Sequence, residues 1–294
     1  MTYHLLLTID VEDWFQVENF KQYIPFASWS SHELRVEKNT HRILDLLDCF
    51  DGKRTTDNGQ HEKVRCTFFV LGWIAERLPH LVREIHSRGH EVASHGYYHN
   101  LCMKESPKEL SIDLLKSKKL LEDITGTQVH GYRAPSFSID NRVLKIIEDS
   151  GYAYDSSFNS FGMNSRYGHI DLSSIKKTGI AYRISDTFHE IPVSNLSIGN
   201  LILPWGGGGY FRLMPSPVFK LGVYSILKND GAYMFYMHPW EIDPEQPKVN
   251  QASMVFKFRH YINIKKTEQK LKKLMKDMGQ YSFVNCNRYI EGIR

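Results

Sequence analysis

Leu5-Leu6-Leu7-Thr8-Ile9-Asp10-Val11-Glu12-Asp13 is the stretch that decides the fold. Residues 5–9 form a continuous apolar run with β propensity, which is typical of a strand buried on both faces of a parallel sheet. Three carboxylates follow at its end, where α/β folds carry their chemistry. Because they repel each other beside Trp14 and Phe15, these carboxylates predict a nearby cation or a bound proton.

Strand and helix patterns alternate along the rest of the chain. Buried apolar runs predict further strands at residues 66–71, 90–93, 129–132, 189–193 and 232–237. Amphipathic patterns predict helices at residues 37–50, 74–88, 107–125, 140–151 and 217–227. The polar segment 51–62 and the glycine-rich segment 204–211 are expected to be loops. Repeated βα units with polar residues at successive strand ends predict a barrel-like α/β fold with one active face.

Ser94-His95-Gly96-Tyr97-Tyr98-His99 follows the third predicted strand and holds two histidines four residues apart. On one helical turn both imidazoles would point the same way and bind one metal ion. The chain has 14 histidines, so such a pair also arises easily by chance, and a solvated surface pair is the alternative.

Other strand ends add weight to the metal interpretation. They supply an acidic cluster, an arginine and a further histidine: Asp10, Glu12, Asp13, Arg133 and His238. Two histidines and one carboxylate leave open positions on a metal ion, as in hydrolytic zinc sites. The remaining carboxylate and the distant histidine are then free for proton transfer.

Composition sets the outer bounds. The chain has 294 residues, 41% hydrophobic and 24% charged, as expected for a globular protein. The net charge is only +4, and the lysines and arginines are interspersed with aspartates and glutamates, so no nucleic-acid partner is expected. The exception is a basic run at residues 265–276, which predicts the polar face of an amphipathic helix. The four cysteines form no metal or disulfide pattern. No signal peptide or membrane span is evident, and we therefore expect a cytoplasmic protein.

Several segments match known motifs in order along nearly the whole chain: residues 8–15, 67–72, 94–99, 131–138, 154–157, 207–213 and 237–243. On these motifs the chain resembles the polysaccharide deacetylases of the NodB-homology class, carbohydrate esterase family 4. It is most similar to the branch that accompanies exopolysaccharide and exosortase (PEP-CTERM) gene clusters. The resemblance implies a distorted (β/α)7-like barrel. We expect one catalytic domain over residues 1–294, with residues 244–294 as a C-terminal extension packed on it.

The resemblance also implies an activity, the metal-dependent removal of N-acetyl groups from an amino-sugar polysaccharide or its precursor. By analogy, Asp10 is the base that deprotonates a metal-bound water, and His238 is the acid that protonates the leaving amine. His95 and His99 bind the metal, and Arg133 keeps the base ionised. Zinc is the expected ion, and cobalt, nickel or manganese would fit the same ligands.

The third metal ligand stays open between Glu12 and Asp13. Glu12 lies on the same side as Asp10 if the strand persists, whereas Asp13 is favoured if the chain turns after Val11. We lean slightly to Glu12. The family's usual Asp-Trp motif, which orients the arginine and the acid, is not evident; Asp155 and Glu190 are the candidates for that supporting role.

Substrate contacts are expected from Ser136, through its backbone N–H, and from the aromatic rings of Tyr210 and Trp240. Glu241 follows His238 closely enough to assist catalysis, but we expect it to be a surface carboxylate. Two alternatives to an N-deacetylase remain: an amidohydrolase or O-deacetylase acting on a small molecule, and an inactive glycan-binding homologue.

Overall fold

The computed structural model describes residues 3–55, 61–162 and 166–293. Its strands are β1 His4–Val11, β2 Asp51–Thr55, β3 His61–Lys63, β4 Thr67–Val70, β5 Glu91–Ser94, β6 Gly131–Tyr132, β7 Tyr154–Asp155, β8 Lys177–Thr178, β9 Ala181–Arg183, β10 His189–Glu190, β11 Asn195–Ile198, β12 Leu201–Pro204, β13 Ala232–Met237 and β14 Ser282–Phe283. Its α-helices are α1 Val36–Asp48, α2 Gly72–Arg77, α3 Pro79–Ser87, α4 Pro107–Thr125, α5 Asn141–Asp149, α6 Gly208–Leu213, α7 Ser216–Asp230, α8 Met254–Tyr261, α9 Ile264–Asp277 and α10 Cys286–Ile293. In the described part of the chain, no helix is both long and apolar enough to cross a bilayer.

One curled sheet organises the molecule. Its strand order is β13-β1-β4-β5-β6-β7-β10-β9-β8, and β14 pairs with the beginning of β1. The strands from β13 to β10 run parallel, whereas β9 and β8 complete the edge as antiparallel strands. A parallel sheet flanked by helices that curls without closing is the predicted distorted (β/α) barrel, and the fold class is confirmed.

The register of the sheet aligns the carboxyl ends of its strands. Ile9 pairs with Met237, and a second row runs from Val11 through Val70 and Ser94 to Tyr132. The residues that follow these positions therefore emerge at one edge of the sheet. This edge carries the side chains that the sequence singled out.

Two segments differ from their predicted form. The segment 51–62, expected to be a loop, carries β2 and most of β3, which pair antiparallel, and its residues 56–60 lie outside the described part of the chain. The glycine-rich segment, also expected to be a loop, enters α6 at Gly208. A Cβ at Gly208 would lie 2.3 Å from the carboxylate oxygens of Glu241, so the glycine is required by an internal contact.

The predicted C-terminal extension takes part in the main sheet. It supplies β14, which pairs with His4 and Leu5 of β1, and the helices α8, α9 and α10. The single-domain interpretation stays a prediction, but one sheet draws strands from both ends of the chain.

The helix α4 begins with a reciprocal cap at Ser106. Ser106 accepts a hydrogen bond from the Glu109 N–H, and the Glu109 carboxylate accepts one from the Ser106 N–H. The buried face of this helix, with Leu110 and Leu114, packs on the core. Because this reciprocal cap satisfies backbone donors that no helical carbonyl reaches, it stabilises the helix by about 1 kcal/mol.

We therefore expect Ser106→Ala to lower the free energy of unfolding by about 1 kcal/mol, measured by urea denaturation. Ser111→Ala on the same helix is the control and should cause no loss, because alanine is the better helix former. Equal stability of the two variants would contradict the capping argument.

Candidate active site

His95 and His99 lie on a strand end and the turn after it, not on a helical turn as expected. β5 ends at Ser94, Gly96 has φ +71°, and His99 has φ +55°. Asp113 of α4 fastens the turn by accepting hydrogen bonds from the Tyr97 and Tyr98 N–H groups at 2.9 and 3.1 Å.

Gly96 suits this turn for two reasons. Its φ lies in the left-handed region, and a Cβ there would lie 2.8 Å from Asp113 Oδ1. The role of Asp113 was missed from the sequence, because the residue lies 16 positions away on another element.

Glu12, His95 and His99 form one buried group. A ligand atom from each lies within 4.8 Å of the other two. His99 Nε2 is 2.6 Å from Glu12 Oε2, yet among the described residues that oxygen has no partner that meets the geometry of a hydrogen bond. The two atoms thus converge without the geometry of a hydrogen bond, as expected of ligands that face a common ion.

The protonation states of this group suit a cation. Burial acts to raise the pKa of Glu12, but the imidazoles of His99 and His238 outweigh it and lower the pKa to about 2. Burial lowers the pKa of His95 to about 4. An ionised carboxylate beside a neutral imidazole is the form that binds a divalent metal.

The imidazole of His95 is oriented by the backbone. Its Nδ1 lies 2.8 Å from the Arg133 carbonyl, and since a carbonyl only accepts, Nδ1 carries the proton. Nε2 is then the nitrogen with a lone pair for a metal, as in many His-ligated sites.

Asp13 does not join this group, which corrects the alternative that made it a metal ligand. Its carboxylate accepts hydrogen bonds from the N–H groups of Trp14, Arg35 and Val36 at 2.7–2.9 Å, where the chain enters α1. Burial nevertheless raises the pKa of Asp13 to about 6. Asp13 therefore anchors the segment 14–36, and Glu12 is the carboxylate that lies with the two histidines.

Asp10 and Arg133 form a buried ion pair beside the group. Arg133 Nη1 lies 2.7 Å from Asp10 Oδ1 and also donates to Thr8 Oγ1, while Nε and Nη2 donate to the carbonyl and hydroxyl of Ser156. Arg133 is fully buried. The charge-assisted hydrogen bond fixes the orientation of the Asp10 carboxylate.

His238 faces the same space from β13. Its Nε2 lies 3.5 Å from Glu12 Oε1 and 4.0 Å from Asp10 Oδ2. Burial lowers the pKa of His238, but the carboxylates of Glu12, Glu241 and Asp10 outweigh it and raise the pKa to about 9.

Glu241 is the orienting partner of His238, which corrects its expected place on the surface. It is 1% exposed, its Oε1 lies 2.9 Å from His238 Nδ1, and its Oε2 accepts from Arg212 Nε at 2.7 Å. Arg212 in turn donates to three backbone carbonyls around the end of α8. The Glu241 spacing of three residues from His238 was visible in the sequence, whereas its buried ion pair was not.

Asp155 and Glu190 are paired neighbours across β7 and β10. Burial and the neighbouring Asp155 carboxylate raise the pKa of Glu190 well above its ordinary range. Asp155 accepts from the Ser157 hydroxyl, which accepts from the Ala134 N–H. Asp155 therefore supports the backbone that follows Arg133, while the direct guanidinium contacts come from other residues.

A cavity of about 250 Å³ opens over these groups, and Ser136 and Tyr210 are among the residues that line it. Ser136 has a left-handed backbone, φ +54°. Trp240 also borders the cavity, but its ring stacks on His238 and His260 at centroid distances of 5.0 and 4.1 Å and is 6% exposed. The expected stacking of Trp240 on a sugar ring is thus corrected: the ring packs against the site residues instead.

Comparison with known families agrees with this geometry. Residues 36–154 match the family model described as polysaccharide deacetylase, and residues 156–291 match one described as a domain of unknown function, DUF3473. Residues 36–154 therefore form a polysaccharide deacetylase domain, and this match covers less than half of the chain.

Individual relatives match over part of their length. A peptidoglycan deacetylase-like protein of Gibberella zeae is 36% identical over 116 residues, 40% of this chain and 31% of that protein. A peptidoglycan-N-acetylglucosamine deacetylase of Bacillus cereus is 29% identical over 113 residues, 38% of this chain and 47% of that protein. The matched segments thus span less than half the length of these curated relatives.

Solved structures share the fold. A Mycobacterium smegmatis protein assigned to the polysaccharide deacetylases aligns with a TM-score of 0.62 and 19% identity, covering 100% of this chain and 90% of that one. A carbohydrate esterase family 4 pseudoenzyme of Bacillus anthracis aligns with a TM-score of 0.50 and 15% identity, over 98% of this chain and 65% of that one.

The geometry predicts that Glu12, His95 and His99 bind one divalent ion per chain. After treatment with a chelator, wild type should take up Zn²⁺ in a calorimetric titration, and His95→Ala should lose the tight binding because one of three ligands is gone. His80→Ala, at a half-exposed imidazole, is the control and should bind like wild type. Tight binding by His95→Ala would place the ion elsewhere.

Proposed function

We propose that this chain is a metal-dependent hydrolase that removes N-acetyl groups from an amino-sugar polysaccharide or its precursor. The observation that carries the proposal is the convergence in one cavity of a metal-fitting group, an Arg-paired carboxylate and a carboxylate-paired imidazole. Such a set provides a Lewis acid site, a base and an acid, which amide hydrolysis requires.

Each described group has a definable task. A divalent ion, when bound, polarises the acetyl carbonyl and activates water. Asp10, held in place by the Arg133 guanidinium, accepts the proton of the attacking water. His238, held by Glu241, protonates the leaving amine. Ser136 lies on the cavity wall where its backbone N–H would face the developing oxyanion.

The substrate class is argued from the relatives and the site together. The Bacillus cereus relative is named as a peptidoglycan-N-acetylglucosamine deacetylase. An N-acetylated glucosamine polymer, or a precursor of one, is the corresponding substrate here, and zinc is the expected ion. Membership of the exopolysaccharide branch remains a prediction.

Two other functions are separated from this one by product. An O-deacetylase or an amidohydrolase on a small molecule would use the same groups, but only N-deacetylation of a glycan releases acetate together with a new free amine on sugar. The pseudoenzyme relative shows that the fold does not guarantee activity. An inactive homologue would bind the glycan and release nothing.

Zinc-loaded wild type should release acetate and expose free amines in equal amounts from N-acetylglucosamine oligomers. Asp10→Asn should keep the metal and lose activity by about 10²- to 10⁴-fold, because an amide cannot accept the proton. Since the introduced amide would leave Arg133 buried without its counter-charge, retained Zn²⁺ binding is the check that the variant is folded. Undiminished turnover by the folded variant would move the base to another residue.

Glu241→Gln should lower kcat by roughly 10- to 100-fold with little change in KM, because His238 loses the anion that orients it and stabilises its protonated form. Glu241→Asp should restore part of the rate. Glu245→Gln, at a carboxylate that is 75% exposed, is the matched control and should behave as wild type. A change confined to KM would contradict the proposed positioning of the acid.

A further inference from the structure

An exposed apolar patch lies beside the mouth of the cavity. It consists of Leu213, Met254, Val255 and Phe258, which are 50%, 76%, 63% and 56% exposed, and is called the mouth patch below. Leu213 and Phe258 line the cavity itself. Met254 and Val255 lie four and three residues before Phe258 on α8, so the three share one helix face. A contiguous patch of exposed apolar side chains of this kind marks a surface that binds a membrane or another molecule.

Cations surround the patch. On the α8 helix, Lys257 and Arg259 fall on either side of the apolar face. From residue 246 to residue 267 the sequence has no Asp or Glu, while it carries Lys248, Lys257, Arg259, Lys265 and Lys266. Within the described residues none of these five side chains forms an ion pair. Their charge is therefore available to an external anion.

The patch is fixed rigidly to the catalytic groups. Arg212, which holds Glu241, donates to the carbonyls of Arg259, His260 and Ile262 at the end of α8. Asn263 donates back to the Arg212 carbonyl at 3.0 Å. A surface that binds the mouth patch is consequently placed at a fixed position relative to His238.

We infer that α8 docks this chain onto an anionic lipid bilayer, with the cavity mouth facing the headgroups. A short helix with an apolar face and basic flanks lies in the bilayer interface, where apolar burial and attraction to anionic lipids act together. A second copy of the chain fits less well, because a two-fold contact on α8 would bring Lys257 and Arg259 against the same two cations of the other copy. On the proposed function, the substrate would be a glycan anchored in that membrane.

The test is co-sedimentation of the zinc-loaded chain with vesicles of phosphatidylcholine alone or with phosphatidylglycerol. Wild type should partition onto the anionic vesicles. Met254→Ser/Val255→Ser should weaken the partitioning by roughly tenfold, and Lys257→Glu by roughly fivefold or more. Ile112→Ser/Leu115→Ser is the matched control: these α4 side chains are 54% and 53% exposed, and their loss should have no effect.

Absence of wild-type binding to anionic vesicles, or equal binding by Met254→Ser/Val255→Ser, would overturn the docking proposal. A wild-type dimer in solution that this double variant converts to monomer, without vesicle binding, would assign the patch to a second copy instead.

Acetate release from soluble N-acetylglucosamine oligomers separates the two proposals. Met254→Ser/Val255→Ser should keep wild-type release, because neither side chain lines the cavity. Vesicle binding without acetate release by wild type would reject the proposed function alone, and release without vesicle binding would reject the docking alone.

Discussion

The buried guanidinium of Arg133 is the interaction on which the site depends. It donates to Thr8 and Asp10 on β1, to Ser156 after β7, and to the sulfur of Met234 on β13. A charge without any exposure is costly unless every donor is paired, and removing one partner of such a pair costs about 3–5 kcal/mol. The hydrogen bonds of Arg133 therefore connect β1, the end of β7 and β13, and they hold Asp10, the proposed base, between these strands.

The site also depends on chain segments that lie on both sides of the deacetylase match. That match covers His95, His99 and Arg133, whereas Asp10 and Glu12 precede it and His238 follows it. These three segments of the chain meet because β1 pairs in parallel with β4 on one side and with β13 on the other. After β13, the ion pair between Glu241 and Arg212 connects the catalytic acid to α6. The stack of Trp240 on His260 connects it to α8.

Most of the site could be predicted from the sequence, because the carboxyl ends of parallel strands lie at the same edge of a sheet regardless of the length of the connecting loops. The buried runs located β1, β5 and β13, and hence Asp10, His95 and His238. The ligand choice between Glu12 and Asp13 was not predictable, because it depends on a turn: Glu12 N–H donates to the Asp10 carbonyl as β1 ends, and this sends Asp13 toward α1. The burial of Glu241 was equally hidden, since its partner lies 29 residues earlier in the chain. The i, i+4 spacing singled out two histidines that the structure brings together, but they lie on a strand end and a turn and not on a helical turn.

The most direct test of the account is a crystal structure of the chain soaked with Zn²⁺, with anomalous diffraction recorded at the zinc edge. The account predicts one strong peak within about 2.0–2.2 Å of a Glu12 oxygen and of a nitrogen from each of His95 and His99. A peak bound by Asp13, or one outside the cavity that holds Asp10 and His238, would contradict it.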